Sequence, residues 1–266
     1  MNSSEIAIAP RPSPTAGDTI IEDLERECAW WQKVLRLQDW TITEISMIRR
    51  WELPNPKAKS KVDWNIQNKT AQISILEAID LREEDRFDST FELVKQLVWL
   101  HFSLFLVEED TIAEIAQCQA VHSITQGLVS TSRNSRIKVQ EQSAFFTLQE
   151  LQKKCEYWQK TLRLQDWQVE LKFARASELA RPTNLGQAHI NSTHKAAWIK
   201  LLDPIDQQDG DRMIAADHEE TLVHELLHLH FDPFMDLTNS ARNTAQEIAI
   251  EMLAHALVVS QLLVDG

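Results

Sequence analysis

The segment TLVHELLHLH (221–230) carries His224, Glu225 and His228 in the spacing H-E-x-x-H. On a helix of 3.6 residues per turn, the two imidazoles project from one face a turn apart, where both can reach one Zn²⁺. Glu225 stands beside that face, where a carboxylate can hold a metal-bound water and take its proton. A third donor, Glu247, is available on a separate predicted helix. Glu251, one turn further on, competes for that role, and spacing favours Glu247. The plain alternative is a pair of helix-surface histidines with unrelated acids nearby. His189, His194 and His218 are expected at the surface or in turns.

This residue set resembles the gluzincins, metallopeptidases whose zinc is held by H-E-x-x-H and a Glu on a following helix. The resemblance implies His224, His228 and Glu247 as Zn²⁺ ligands and Glu225 as general base. It also implies Glu251, four positions after the Glu ligand, as an acid bonded to a ligand His. The implied activity is peptide-bond hydrolysis by the C-terminal part of the chain, on a peptide or protein substrate. A non-catalytic zinc-containing interaction or structural protein is the alternative. The element order looks like that of minimal zincin domains, of the kind seen in phage and prophage proteins. In that fold a sheet edge pairs with the substrate backbone, and GQAHIN (186–191) is the candidate edge. Tyr157 is the single Tyr, so His230 and His255 are the candidate oxyanion donors.

The elements that must position these groups occur twice. CAWWQKVLRLQDW (28–40) and CEYWQKTLRLQDW (155–167) share ten of thirteen positions. The correspondence continues from AQISIL (71–76) to AWIKLL (197–202), from LVKQLVWLHFSLF (93–105) to LVHELLHLHFDPF (222–234), and from EIAQCQAVHSI (114–124) to EIAIEMLAHAL (247–257). Each copy is too long for a solenoid repeat and suits a small domain. Each reads as a helix, three strands of a small sheet, an active-site helix and a last helix. In the second copy these are a helix over about 147–165, a strand from Trp167, a hairpin (186–202), a helix around Leu222–Leu229 and a helix over about 241–263. The expected fold class is α+β, as two tandem zincin-like domains. The expected boundaries are a disordered tail over 1–19, a first domain over 20–129, a linker over 130–146 and a second domain over 147–266. Trp31, Trp40, Trp158 and Trp167 recur and read as core, with Cys28 and Cys155 as small buried residues and His101 and His230 as packing residues.

The first copy lacks the chemistry of the second. Lys95 stands for His224, Gln96 for Glu225, Trp99 for His228 and Cys118 for Glu251, while Glu114 survives opposite Glu247. A Lys ammonium has no free lone pair, Gln takes no proton and indole only donates. The first copy is therefore expected to be a degenerate pseudo-site that binds no zinc, with Lys95 paired to Glu114.

Composition excludes several other classes. Five Gly and eight Pro in 266 residues argue against collagen-like or linker-dominated chains. A net charge of −13 disfavours a nucleic-acid or anionic-membrane footprint. The short basic stretch from Arg133 to Lys138 reads as part of the solvated linker. No run of 18 apolar residues is present and no secretory signal is visible, so no membrane span is expected. Three separated Cys argue against a disulfide framework and for a cytoplasmic setting.

Overall fold

The computed structural model describes residues 19–82, 87–107, 111–134, 146–207, 217–235 and 239–262. The expected N-terminal tail lies outside these residues except for Thr19, which caps the first helix. The element order is α1 (Ile20–Val34), β1 (Thr41–Ile48), β2 (Ser60–Asn65), β3 (Thr70–Leu76), α2 (Ser89–Phe102), α3 (Ile112–Asn134), then α4 (Leu148–Thr161), β4 (Gln168–Ala174), β5 (Gly186–Asn191), β6 (Ala196–Leu202), α5 (His218–Phe231) and α6 (Ser240–Leu262). The fold is α+β, with two small three-stranded sheets, and the second half repeats the order of the first.

The shared thirteen residues encode a helix stop. Thr19 and Thr147 start α1 and α4 with capping boxes closed by Glu22 and Glu150. At the other end Arg36 and Arg163 adopt φ of 53° and 58°, the left-handed conformation that terminates a helix. The Leu37 and Leu164 amides reach back to the Gln32 and Gln159 carbonyls at 2.7 Å. The Gln32 side-chain amide then donates to the carbonyls of Leu37 and Trp40, and Gln159 does the same to Leu164 and Trp167. Each turn thus aims the chain into its first strand. Asp39 and Asp166 ion-pair with Lys69 and Lys195, the left-handed residues of the two hairpins. Identity between the copies is therefore concentrated where backbone geometry is most constrained.

Both sheets place the last strand in the middle, in the orders β1-β3-β2 and β4-β6-β5. The first strand runs parallel to the central one, and the hairpin strand runs antiparallel to it. Strands β2 and β5 are consequently edges, as expected for GQAHIN. Trp31 and Trp158 are fully buried, with Cys28 and Cys155 beside them in sequence and also buried. His230 is half-buried with Nε2 bonded to the Leu162 carbonyl at 2.9 Å, and His101 is buried at the matching position. Burial holds both rings down at about 4, so they are neutral packing groups. His218 corrects the surface expectation. It is buried, bonded through Nε2 to the Leu202 carbonyl, and Nδ1 accepts from the Phe146 amide.

The domain boundaries differ from those expected. One compact unit holds the described residues within 1–106, 128–137 and 259–266, and the other those within 107–127 and 138–258. Residues 130–134 of the expected linker are the end of α3, and 135–145 lie outside the described residues. Their polar composition hides helix formation. Thr131 and Ser132 donate back to the Leu128 and Val129 carbonyls, Thr131 shares a 2.5 Å bond with Ser260, and Arg133 pairs with Asp88. Among the described residues no helix is long and apolar enough to cross a membrane.

The second unit draws on α3 for its core. Ala120, Val121 and Ile124 are buried, and Gly127 lies so close to Leu257 that a Cβ there would stand 3.0 Å from its methyl. A fragment of residues 138–266 should consequently lose cooperative unfolding, because burying a Val or Ile is worth about 1.5–3 kcal/mol. A fragment of residues 107–266 should retain it. Thermal melts and amide spectra of both fragments test this, and equal behaviour would refute it.

Candidate metal centre

Helix α5 begins where Asp217 accepts the amides of Glu219 and Glu220, four residues before the predicted apolar run. Its apolar side buries Leu222, Val223, Leu226, Leu227 and Leu229, which leaves His224 and His228 on a flank. Helix α6 presents Glu247, Glu251 and His255, successive residues four apart, to that flank. The contacts form a ladder. His228 and His224 meet Glu247, the His224 Nδ1 meets Glu251 at 3.0 Å, and His255 Nδ1 lies 3.3 Å from Glu220. The Glu220–His255 rung was not anticipated. Its signal was present, since Glu220 precedes His224 by one turn and His255 follows Glu251 by one.

Three donor atoms converge. His224 Nε2 and His228 Nε2 are 3.2 Å apart, and Glu247 Oε2 lies 3.5 Å from the first and 3.7 Å from the second. A tetrahedral ion with bonds of about 2.1 Å sets its donors about 3.4 Å apart, so these edges suit one metal ion. Two imidazoles and a carboxylate make a borderline nitrogen and oxygen set with a fourth position left over. Among the described residues this is the one such group of three. Glu251 takes the partner role on the far nitrogen of His224 and not the ligand role.

The charges divide unevenly. Burial works against a charge on His224, yet hydrogen bonds to Glu247 and Glu251 outweigh it and push the ring up to about 10. His228 goes the other way, to about 4, through burial and the neighbouring His224 charge, against the pull of Glu247. The hydrogen bond from His224 holds Glu247 below the usual carboxylate range. Glu225 is 5% exposed, and burial lifts its carboxyl to about 7, while the Ala188 amide of β5 donates to it. A carboxyl at that value exchanges protons near neutrality.

The first unit carries a different network at the matching positions. Lys95 pairs with Glu92 on its own helix. Glu114 falls among the residues of the other unit. Gln96 donates to Ser60 Oγ at 2.5 Å, and Ser60 donates to Glu92 at 2.5 Å. Trp99 packs edge-to-face on Phe102 with ring centroids 5.8 Å apart. Glu114, Cys118 and His122 line a cavity of about 400 Å³ in the second unit, together with Arg163. Ser60 and Glu92 were not anticipated, because a hydroxyl and an acid thirty-two residues apart leave no spacing signal. Of the candidate oxyanion donors, His230 is committed to Leu162 and His255 faces Glu220. Tyr157 meets Trp158 edge-on on α4, with ring centroids 5.1 Å apart.

No model of a protein family, no curated protein and no solved structure matches this chain.

The proton held by His224 must leave when a metal takes Nε2. Metal binding at pH 7 should release at least one proton per ion, so affinity should rise about tenfold per pH unit in that range. Calorimetry in two buffers of different ionisation heat measures the release, and a value of zero would contradict the assignment. Glu251→Gln should weaken binding by about 10–100-fold while leaving the stoichiometry at one.

Proposed function

We propose that the second unit binds one Zn²⁺ through His224, His228 and Glu247 and hydrolyses peptide bonds, with Glu225 as general base. The observation that carries this reading is the tetrahedral spacing of the three donors beside a buried acid poised near neutrality. The donor set suits zinc, and bound zinc would supply a Lewis acid and a water acidic enough to attack at neutral pH. Glu251 fixes the tautomer and orientation of His224 through Nδ1. Glu225 takes the proton of the attacking water and returns it to the leaving amine. Strand β5 lies at the sheet edge, where an extended peptide would pair.

In this reading the chain is a pair of zincin-like domains of gluzincin type, the first a degenerate copy without ligands. The repeated element order and the loss of both His positions support it. The substrate is a peptide or protein, and the charge of −13 argues against nucleic acid or anionic membranes as partners. Cys28, Cys118 and Cys155 stand outside any disulfide, which suits a cytoplasmic setting.

A second reading, a zinc-containing interaction protein without turnover, draws on the engaged state of His230 and His255 and the position of Tyr157. Those contacts leave no side chain named above as an oxyanion donor.

Glu225→Gln separates the two. Metal content should stay at one per chain, because Glu225 is not a ligand, while hydrolysis of an unfolded casein substrate should fall about 10²–10⁴-fold. Equal turnover in the variant would sink the peptidase reading, and absence of turnover in the parent would favour the second.

A further inference from the structure

Strand β5 comes close to α5 at Gly186, whose pairing partner on β6 is Leu201. A Cβ built there would lie 2.6 Å from Glu225 Oε1, 3.0 Å from Glu225 Cγ and 2.7 Å from Thr221 Cγ2. Real carbon atoms do not approach so closely. The Glu225 carboxylate therefore occupies the space that a side chain at 186 would take. Two residues further along the same strand, the Ala188 amide donates to that carboxylate. Strand and helix thus form a slot with an open floor at Gly186 and a donor at Ala188.

The first unit shows the same position with a side chain present. Ser60 pairs with Ile75 as Gly186 pairs with Leu201, so the two residues correspond. There the hydroxyl reaches across to α2, accepts from Gln96 and donates to Glu92. Gln96, which stands for Glu225, is tied to the strand residue itself. A side chain at this position binds the helix residue, whereas its absence leaves the residue free to lie along the strand.

We infer that Gly186 is a positioning residue, whose missing side chain forms the slot that holds the Glu225 carboxylate against β5. The inference deepens the peptidase reading and rests on it for the role given to Glu225. The slot itself is a claim about the metal-free chain and has its own readout. Gly186 does not require a left-handed backbone, so the effect of Gly186→Ala comes from volume at Glu225 and Thr221.

The test uses the full-length chain, metal-free and zinc-loaded. In the ¹⁵N amide spectrum of the metal-free protein, Glu225→Gln should move the Ala188 resonance, and Gly186→Ala should move it as well. Zinc content of Gly186→Ala should stay within about twofold of the parent. Its kcat on a peptide substrate should fall roughly 10²-fold with KM nearly unchanged, as expected for a displaced catalytic group. If Gly186→Ala folds poorly, Gly186→Ala with Thr221→Ser returns the volume of one methyl while keeping the hydroxyl bond to Asp217. That double variant should regain folding, and its Ala188 resonance should still be displaced. An unmoved Ala188 resonance in the folded variant, or an unchanged kcat, would overturn the inference. A parent chain with no hydrolysis would overturn the peptidase reading instead, and the Ala188 resonance would then decide the role of Gly186 alone.

Discussion

Two imidazole nitrogens 3.2 Å apart cannot both carry a proton. With Glu247 against both, the two rings share one proton. The opposite shifts of the two rings, His224 upward and His228 downward, express this constraint. Everything around the pair serves to keep it in place despite burial. Glu251 answers the outer nitrogen of His224, and Glu220 answers His255 a turn away. A chain of partly buried charges is tolerable only when each has its counter-charge, because an isolated one would cost several kcal/mol.

The same helix-over-sheet frame carries a different solution in the first unit. There Glu92 gathers a Lys ammonium and a Ser hydroxyl, and Gln96 completes the chain as a donor. One acid meets one cation on the same helix, so no second helix is needed to supply the balance. In the second unit α5 supplies His224, His228 and Glu220, and α6 supplies Glu247, Glu251 and His255. Its electrostatic balance therefore spans two helices and fixes their register by four-residue steps. A metal ion at the centre would join the same two helices.

Much of this was legible in the residues. The H-E-x-x-H spacing, the helices, the hairpin and the edge position of GQAHIN all follow from periodicity and turn chemistry, and the structure places them so. Glu247 lies 3.5 and 3.7 Å from the two imidazole Nε2 atoms, and Glu251 lies 3.0 Å from His224 Nδ1. The misreadings share a cause. STSRN looks like linker because Ser and Thr are polar, yet their hydroxyls bond back to carbonyls one turn earlier, which is compatible with helix. His218 looks like a surface residue because a single His carries no sign of the two backbone groups that await it. Gly186 was silent, since a missing side chain matters only through what comes to fill its space.

A comparison of buried acids shows why the second unit is the better mounting for a site. Glu219, beside Glu220 on α5, is buried and accepts from Trp158 Nε1 at 2.8 Å and from Lys154 at 2.6 Å. In the first unit Thr90 stands for Glu219 and Glu27 for Lys154, and the Thr90 hydroxyl donates to Glu27 at 2.7 Å. Donor and acceptor have changed places, so both arrangements remain paired. The indole has not followed. Trp31 Nε1, the counterpart of Trp158 Nε1, is buried without an acceptor, a defect worth about 1–3 kcal/mol. The first turn of α5 is thus tied to α4 by a charged, fully satisfied contact, and that of α2 to α1 by a neutral hydroxyl. A catalytic or metal-holding helix needs its ligands fixed to within about 0.5 Å. The unit with two convergent histidines is also the one whose helix is tied at its root to the first helix of that unit by an ion pair.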